Sequence, residues 1–490
     1  MTRRIVVVGR DAALWLSASV LHNALAPAGV SVTAVELPSL LAPADAYAAL
    51  PPLEALHGQL RIDEGALLRA IGGVFTLGQN FVDGQGDNPA FLHAYGAYGT
   101  AIDGQDFFAY WLKARGLGLP VAFEDFSMTA AAARQGRLLI PDDESERYGR
   151  SDYGYHLPAR AYVRSLKTLA VKDGVTFYEV ASAEVIRRPN GDIVAVRFDG
   201  QRVEGDLFVD ATGQAGELIG GAWESWRAYF AADRVLTASG PAFPSVPAYA
   251  EIRTWRQGWA GIYPCLAQTQ VVQVYASADC SDAAAFSGAA AITSLPLADG
   301  IVRASEPARR EQAWVGSCVA IGGAACVFDP VHNLDLHAIH LGLIRLLSFF
   351  PAGIDFAAER TEYNRLTRSA FERMRDFQSA YYTLNRFGGA FWRRARAAKR
   401  SLELSHSVAL FQARGEIAPY EDESFTPDSW RALFVGLGVM PASYLPTIDR
   451  TSPEMVKSQF RNMLGFIKEQ VLRQPTHDEY LQKIARRANG

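Results

Sequence analysis

Three stretches of the sequence predict an α/β protein organised around a parallel sheet. An apolar run at residues 5–8 meets Gly9, an amphipathic helical pattern continues to residue 25, and a second apolar run at 30–35 ends on Glu36. This is the βαβ unit of a dinucleotide-binding fold. A later apolar run closes on Asp210-Ala-Thr-Gly213, and antiparallel strand patterns follow at 248–255 and 270–276. The predicted fold class is a Rossmann-like FAD/NAD(P)-binding fold with a mixed or antiparallel substrate-side sheet and a helical C-terminal region.

The turn after the first strand keeps only the first of the three glycines typical of this unit. Where G-x-G-x-x-G is expected, the sequence has Gly9, Asp11 and Leu14. The second glycine normally lets the backbone approach a pyrophosphate, and the third lets the helix pack on its strand. A carboxylate about 4 Å from a phosphate charge costs roughly 4 kcal/mol at an effective dielectric constant near 20. Dinucleotide binding therefore requires Arg10 or the helix N-terminus to offset this repulsion.

The remaining elements follow from hydrophobic periodicity and turn residues. Helices are predicted at 64–71, 104–115, 158–171 and 336–350, strands at 75–78, 175–179 and 318–321, and a hairpin turn at 189–191. Beyond Pro351 the chain is predicted to be mostly helical, around 357–376 and 389–405 and from Pro453 to Ala488. We therefore expect an FAD-binding-type α/β module at 1–350, interleaved with a substrate-side sheet at about 75–160 and 220–315, and a helical region at 351–490.

Composition argues against several classes of protein. The chain has 490 residues, a formal net charge of −4 and a pI near 6.2, so it offers no electrostatic reason to expect nucleic acid or an anionic membrane as a partner. Cys265, Cys280, Cys318 and Cys326 match neither a disulfide framework nor a zinc spacing, so buried thiols in a reducing compartment are expected. No signal peptide precedes the first strand and no apolar run reaches roughly 18 residues, so a cytoplasmic location is expected.

Several longer stretches together resemble the flavin-dependent tryptophan halogenase family. They are Trp15 after the first turn, YGYHLPARAYVRSL at 153–166, DLFVDATG at 206–213, CVAIGGAACVFDP at 318–330, EYNRLTRSAFERMRDF at 362–377, Phe391-Trp392, and SWRALFVGLGVMP at 429–441. The resemblance spans nearly the whole chain. It implies FAD as cofactor, a flavin reductase as the source of reduced FAD, and a small aromatic substrate.

The family's chemistry depends on positions at which this sequence differs. The resemblance implies a lysine in a Phe-Lys-Leu-Gly-like strand, and the matching residue is Thr76. It also implies a glutamate and a halide-binding Thr-Gly in a Glu-Pro-Leu-Glu-Ser-Thr-Gly-like turn, where this sequence has His332 and Leu334-Asp335. A hydroxyl cannot form the chloramine that the lysine forms, and it supplies no ammonium to orient the oxidant. An aspartate at the halide position would repel chloride.

The resemblance also assigns the substrate and cofactor positions. The family's Trp-x-Trp-x-Ile-Pro signature is reduced here to Trp259, Gly261 and Pro264, which mark the expected substrate cleft. If the protein is an FAD-dependent oxygenase, Gly261 would leave room between the flavin and this cleft. The family's Gly-Glu-Ala-Thr strap corresponds to residues 44–47. The expected cofactor-binding residues are Gly9, Asp11, Ala12, Ala13, Glu36, Asp45, Asp210, Gly213, Asp329, Leu334 and Asp335.

Some residues allow more than one interpretation. His332 is either a general base or a hydrogen-bonded turn residue. Arg10 and Asp11 could form a local ion pair at the start of the first helix. Although His332, Asp335, His337 and His340 are close in sequence, His340 falls in an apolar helix, so no metal site is predicted.

Two functional hypotheses follow from these departures. In the first, the protein has the halogenase scaffold without flavin chemistry and is a binding or partner protein, for example of an active relative. In the second, it is a divergent FAD-dependent monooxygenase or halogenase that acts on an indole-like substrate with reduced FAD from a separate reductase. Surface strands and long helices would permit a homodimer without requiring one.

Overall fold

The first βαβ unit forms as predicted. A computed structural model of the chain describes residues 2–141, 149–351, 353 and 355–486. Strand β1 (Arg4–Gly9) runs parallel to β2 (Ser31–Glu36), with Ile5 opposite Val32 and Gly9 opposite Glu36. Helix α1 (Asp11–Leu25) connects them. The β-branched residues of β1 are completely buried, as expected for a central strand covered on both faces.

Beyond β2 the chain continues through short strands and helices. The strands are β3 (Ala46–Ala49), β4 (Val74–Thr76), β5 (Gly78–Asp83), β6 (Phe91–Ala94), β7 (Gly154–Pro158), β8 (Thr176–Glu179), β9 (Glu184–Arg187), β10 (Ile193–Phe198), β11 (Gln201–Glu204), β12 (Leu207–Ala211), β13 (Trp223–Ser225), β14 (Arg234–Pro241), β15 (Ala250–Trp255), β16 (Gly258–Pro264), β17 (Gln268–Tyr275), β18 (Ala298–Ala304), β19 (Ala308–Arg310), β20 (Trp314–Val315), β21 (Cys318–Ala320) and β22 (Cys326–Val327). The helices are α2 (Pro52–Gln59), α3 (Glu64–Ile71), α4 (Phe107–Gly116), α5 (Met128–Arg134), α6 (Ala159–Lys172), α7 (Asp282–Thr293), α8 (Asp335–Ser348), α9 (Ala357–Thr383), α10 (Ala390–Ala397), α11 (Leu402–Arg414), α12 (Pro427–Gly436), α13 (Pro453–Arg473) and α14 (His477–Arg486).

The chain divides into two compact units, the first made of residues 1–73, 157–227 and 306–373. Its central sheet has the order β20-β21-β12-β1-β2-β8, in which all neighbours pair in parallel except β20 and β21. Helix α1 packs against α6 and α8. Because β1 and β12 are parallel neighbours, with Val8 opposite Asp210, their carboxyl ends meet at one edge. This confirms the Rossmann-like prediction.

The second unit comprises residues 74–156, 228–305 and 374–490. Its main sheet has the order β18-β14-β17-β16-β15-β5-β6. Most neighbours are antiparallel, but β15 and β5 are parallel, so the sheet is mixed, as predicted. Strands β4 and β7 pair separately in this unit. The helices after Thr383 also belong to it, so this unit combines the mixed sheet with the C-terminal helices.

The predicted C-terminal helices are interrupted at particular residues. The single helix expected from Pro453 to Ala488 is two helices, because α13 ends at Arg473 and Pro475, which has no backbone N–H, precedes α14. The expected end at Ala488 lies outside the described residues. The helix expected at 389–405 is also divided, since Ser401 caps a new helix by accepting a hydrogen bond from the Leu404 N–H.

Two expectations from composition can be compared with the structure. All four cysteines are free and buried, which confirms the expected buried thiols. Among the described residues, no helix combines the length and apolar character needed to cross a membrane.

Candidate functional site

The loop after β12 is held together by the Asp210 carboxylate. Asp210 is fully buried, and its two oxygens accept hydrogen bonds from the backbone N–H and hydroxyl of Thr212 and from the N–H groups of Leu218 and Ile219. Gly213 follows with a φ of +80°, and a Cβ built there would meet no atom within 4 Å. Asp210 therefore shapes the loop, while the Gly213 backbone is the part that is open to a ligand.

Gly9 is needed for the packing of strands. A Cβ at Gly9 would lie 2.4 Å from the Ala211 carbonyl oxygen and 2.5 Å from the Ala211 Cβ. No other residue fits there unless β1 and β12 move apart. Retention of this glycine is therefore explained by the scaffold.

Asp11 begins α1 in a left-handed conformation, with a φ of +58°. Its carboxylate accepts a hydrogen bond from the Ser39 hydroxyl at 2.5 Å, and the Leu40 N–H lies 3.4 Å from its other oxygen. Burial raises the pKa of Asp11, and the hydrogen bond from Ser39 opposes that shift. A negative charge is thus held at the start of the helix, where the macrodipole favours anions.

Arg10 does not form the salt bridge with Asp11 that the sequence suggested. Its guanidinium donates to the Thr212 carbonyl at 2.7 Å and to the Glu217 carboxylate at 2.8 Å. The hypothesis of a local ion pair is therefore wrong. Arg10 instead links the start of α1 to the loop after β12 and has its charge balanced there.

Tyr47 also faces the N-terminal end of α1. The Ala12 backbone N–H and the charges of Asp11 and Asp335 lie near enough to its hydroxyl to affect the pKa of Tyr47. Burial is the largest cause that raises the pKa of Tyr47, so the phenol is neutral. The Tyr47 ring also packs edge-on against Tyr162, with 6.1 Å between centroids. The phenol hydroxyl therefore lies beside an amide that a phosphate would use in a Rossmann fold.

Glu36 lies at the carboxyl end of β2, as predicted, and already has partners. One oxygen accepts from the Trp15 indole at 3.1 Å, and the other from the Lys167 ammonium at 2.6 Å. The Lys167 Nζ also lies 5.5 Å from the centroid of the Trp15 ring. Each carboxylate oxygen retains a second lone pair, so Glu36 is still able to accept a ribose hydroxyl.

These groups can be compared with the needs of a dinucleotide cofactor such as FAD. Glu36 and the Gly213 turn fit a ribose and a closely approaching cofactor. The first turn of α1 holds the Asp11 carboxylate, whose negative charge would oppose a diphosphate, and the Tyr47 hydroxyl lies near the Ala12 amide. Ala13, the next predicted contact, is half-buried in the same turn. Asp45 is held within its own loop by the Ala42 N–H at 2.8 Å.

The turn before α8 contains the position matched to the family's glutamate. His332 is buried in a left-handed conformation, with a φ of +67°, which supports the turn-residue interpretation without excluding general-base chemistry. Asp329 is buried and accepts a hydrogen bond from the Val331 N–H at 3.0 Å. Leu334 is also buried. Asp335, at the start of α8, is exposed to solvent on one side and surrounded by protein on the other sides. This partial desolvation raises the pKa of Asp335 to about 6. Among the described residues, no three His, Cys, Asp or Glu side chains lie together so that they could hold a metal ion.

Thr76 lies in β4 of the second unit, at the position matched to the family's lysine. Its side chain is 1% exposed, and its hydroxyl donates to the Gly78 carbonyl at 3.1 Å. The buried Thr76 hydroxyl thus already has a hydrogen-bond partner in the backbone. It provides neither a nucleophilic amine nor a positive charge.

The three residues predicted to mark the substrate cleft are buried in β16. The Trp259 indole donates to the Tyr382 hydroxyl at 2.8 Å, and the Pro264 carbonyl oxygen lies 3.0 Å from Nδ1 of His156. The expectation that Gly261 leaves room is wrong, because a Cβ there would meet the Tyr263 ring at 2.7 Å. The Tyr263 ring occupies the space beside Gly261, where the family's second tryptophan side chain is expected.

Two residues beside the predicted cofactor positions, Tyr47 and Lys167, have contacts that the sequence did not predict. Tyr47 lay within the predicted strap, but its direction depends on the β3 backbone and on packing with Tyr162. Lys167 lies on α6, far in sequence from Glu36, and no local motif connects them. The spacing of polar residues along α6 was the only sequence pattern that could have indicated the contact between Lys167 and Glu36.

Comparison with known proteins agrees with this fold. Residues 4–453 match the family model described as tryptophan halogenase. Tryptophan 6-halogenase ThaL from Streptomyces albogriseolus is 26% identical over 489 residues, which cover 91% of each chain. The structure of BrvH, a flavin-dependent halogenase from Brevundimonas sp. BAL3, has 29% identity and a TM-score of 0.90 and covers 99% of both chains. Xcc4156, a flavin-dependent halogenase from Xanthomonas campestris, has 27% identity, a TM-score of 0.90 and covers 99% of this chain and 98% of its own. Because the match extends over almost the entire chain and the fold agrees, this protein belongs to the flavin-dependent tryptophan halogenase family.

Proposed function

We propose that this family member does not halogenate by a lysine-dependent route and is a non-catalytic binding or partner protein. The observation that carries the proposal is the first turn of α1. There the Asp11 carboxylate is fixed by Ser39, and the Tyr47 hydroxyl lies near the Ala12 amide. Both features oppose a diphosphate at the end of the helix that would otherwise attract it. FAD, the cofactor that family membership implies, is thus expected to bind weakly.

Thr76 gives independent support. Halogenation through an amine requires a basic nitrogen whose lone pair is free to react with the oxidant. Thr76 instead has a buried hydroxyl whose proton is committed to the Gly78 carbonyl. The protein would therefore lack the family's amine chemistry even if a flavin were supplied.

A second candidate function is a divergent FAD-dependent monooxygenase with an indole-like substrate. It is favoured by the Gly213 turn, where a side chain would meet no neighbour and the backbone is open to a cofactor. Glu36, at the end of β2 on the other side of β1, retains acceptor capacity. This candidate requires FAD to bind despite Asp11.

The two candidates are separated by a product assay. The purified protein would be supplied with a flavin reductase, FAD, a nicotinamide reductant, chloride or bromide, and tryptophan or indole, with ThaL as positive control. We expect neither halogenated nor hydroxylated product above the reaction without protein. A halogenated product would contradict the proposal, and a hydroxylated product would favour the monooxygenase. A cytoplasmic location, a reductase and a homodimer remain proposals that this assay does not test.

A further inference from the structure

The first unit contains a surface groove formed by α3, α6 and the turn before α3. It has a cavity volume of about 490 Å³, within the range of small-molecule sites. Leu67 and Leu166 form a buried part of its lining, and Ala66 and Leu169 are partly exposed. This groove contains none of the residues predicted to bind cofactor or substrate. Its apolar surface is able to hold a hydrocarbon or aromatic body.

The charged rim of the groove is predominantly basic. Arg61, Arg164 and Lys172 line it and are exposed, and within the described part of the chain none of them forms a salt bridge or side-chain hydrogen bond. The acidic residue in the lining is Asp63, whose carboxylate caps α3 by accepting from the Ala66 N–H at 2.7 Å. The three positive charges are therefore available to an anion, whereas the Asp63 carboxylate already accepts a hydrogen bond at the start of α3.

The two cations that α6 contributes lie on one face of the helix, two turns apart. Arg164 and Lys172 are eight positions apart on α6, which places their backbones about 12 Å apart at a helical rise of 1.5 Å per residue. Thr168, between them on the same helical face, also lines the groove. An elongated apolar ligand that carries an anionic group thus matches the lining better than a compact polar one.

Arg61 supplies a second, independent observation. It follows α2 in a left-handed conformation, with a φ of +55°. Its N–H donates to the Gly58 carbonyl at 3.0 Å, and the Ile62 N–H donates to the His57 carbonyl at 2.9 Å. This is the Schellman end of a helix, where glycine is preferred, as Gly72 shows at the end of α3. The chain has an arginine there at a conformational cost, and that arginine lines the groove.

We propose that this groove binds an amphipathic organic anion, with the apolar body between α3 and α6 and the anionic group at the Arg61, Arg164 and Lys172 rim. A medium-chain carboxylate represents the class. The inference does not rest on the proposed function, since the groove lies apart from the α1 N-terminus and requires no flavin.

Calorimetric titration of the full-length protein with octanoate tests the proposal, with octanol and octylammonium as neutral and cationic analogues. We expect octanoate to bind once per chain and more tightly than either analogue, and to weaken as salt is added. Arg61→Gly and Arg164→Gln should each weaken octanoate binding by about two- to fivefold, the range of exposed charge pairs. Arg61→Gly is a favourable variant because glycine adopts this conformation without strain.

Two further variants test the position of the site. Ala66→Phe fills the groove and should weaken octanoate binding by at least about tenfold, as expected for a blocked apolar site. Arg69→Gln is the matched control, since Arg69 is exposed on α3 but does not line the groove. Circular dichroism and thermal unfolding would verify that each variant is folded. Equal binding of octanol and octanoate, or unchanged octanoate binding by folded Arg61→Gly, Arg164→Gln and Ala66→Phe variants, would overturn the proposal.

Discussion

At the scale of single residues, Asp11 is the proposed obstacle to FAD binding. Replacing it with asparagine removes the charge and retains a residue that tolerates the left-handed conformation. We expect Asp11→Asn to raise FAD affinity by at least about tenfold, because one repulsive contact is worth several kcal/mol at this distance. Equilibrium titration followed by flavin fluorescence measures the change.

Asp199→Asn is the matched control for this substitution. Asp199 also has a positive φ, of 45°, but lies in the exposed turn between β10 and β11. It should leave FAD affinity unchanged. Equal affinities for wild type and Asp11→Asn would show that Asp11 is not the obstacle.

The sequence predicted residue types better than residue environments. It correctly placed Gly9 and Glu36 at the ends of adjacent strands, because strand periodicity fixes where each strand ends. It did not predict that Tyr263 fills the space at Gly261, since that depends on the direction of a side chain. It also did not predict that Arg10 pairs with Glu217, because this contact joins residues more than 200 positions apart.

At the scale of elements, Asp210 should contribute strongly to the order of the loop after β12. In Asp210→Asn, an amide NH₂ would replace an acceptor and face either the Thr212 donors or the Leu218 and Ile219 amides. Leaving buried donors unpaired costs about 2–4 kcal/mol in the free energy of unfolding. Urea denaturation would measure the loss, and a change below about 0.5 kcal/mol would show that the loop is held by other contacts.

The contact between β16 and α9 gives a second prediction at this scale. Tyr382→Phe removes the acceptor of the buried Trp259 indole N–H, which should destabilise the protein by about 1–3 kcal/mol. Tyr444→Phe is the control, because the Tyr444 hydroxyl interacts with Asp449 at the surface and its loss should cost less than about 0.5 kcal/mol. Similar denaturation midpoints for the two variants would contradict this account of Trp259.

Element boundaries were predictable where one strong signal acts locally. The helix expected at 158–171 is α6 (Ala159–Lys172), and the strand expected at 175–179 is β8 (Thr176–Glu179). The break between α13 and α14 differs from the single predicted helix, because the helical periodicity continues on both sides of Pro475 and hides the stop that this proline imposes. Tertiary placement of Tyr47 had no comparable local signal.

At the scale of the whole molecule, buried histidines should make the fold sensitive to acid. Burial lowers the pKa of His57, His93, His156 and His337 to about 4, below the ordinary value of 6.5. Between pH 6.5 and 4 the unfolded chain therefore binds protons that the folded chain does not, so stability falls as pH falls. Asp335, with a pKa of about 6, opposes this trend, because the folded state gains its proton first.

Thermal unfolding from pH 7.5 to 5 would measure this dependence. We expect the midpoint to fall steadily, and His156→Gln to reduce the proton uptake on unfolding by about one proton at the acidic end. His406→Gln is the control, because His406 is exposed on α11. A midpoint independent of pH over this range would contradict the role assigned to the buried histidines.

We propose that this flavin halogenase scaffold has an α1 N-terminus unsuited to the FAD diphosphate. The most direct measurement is the visible absorption spectrum of the purified protein after incubation with excess FAD and removal of free cofactor, with BrvH treated in parallel. We predict no flavin bands above the buffer for this protein and retained bands for Asp11→Asn combined with Tyr47→Phe. Stoichiometric flavin bands in the wild-type protein would contradict the claim.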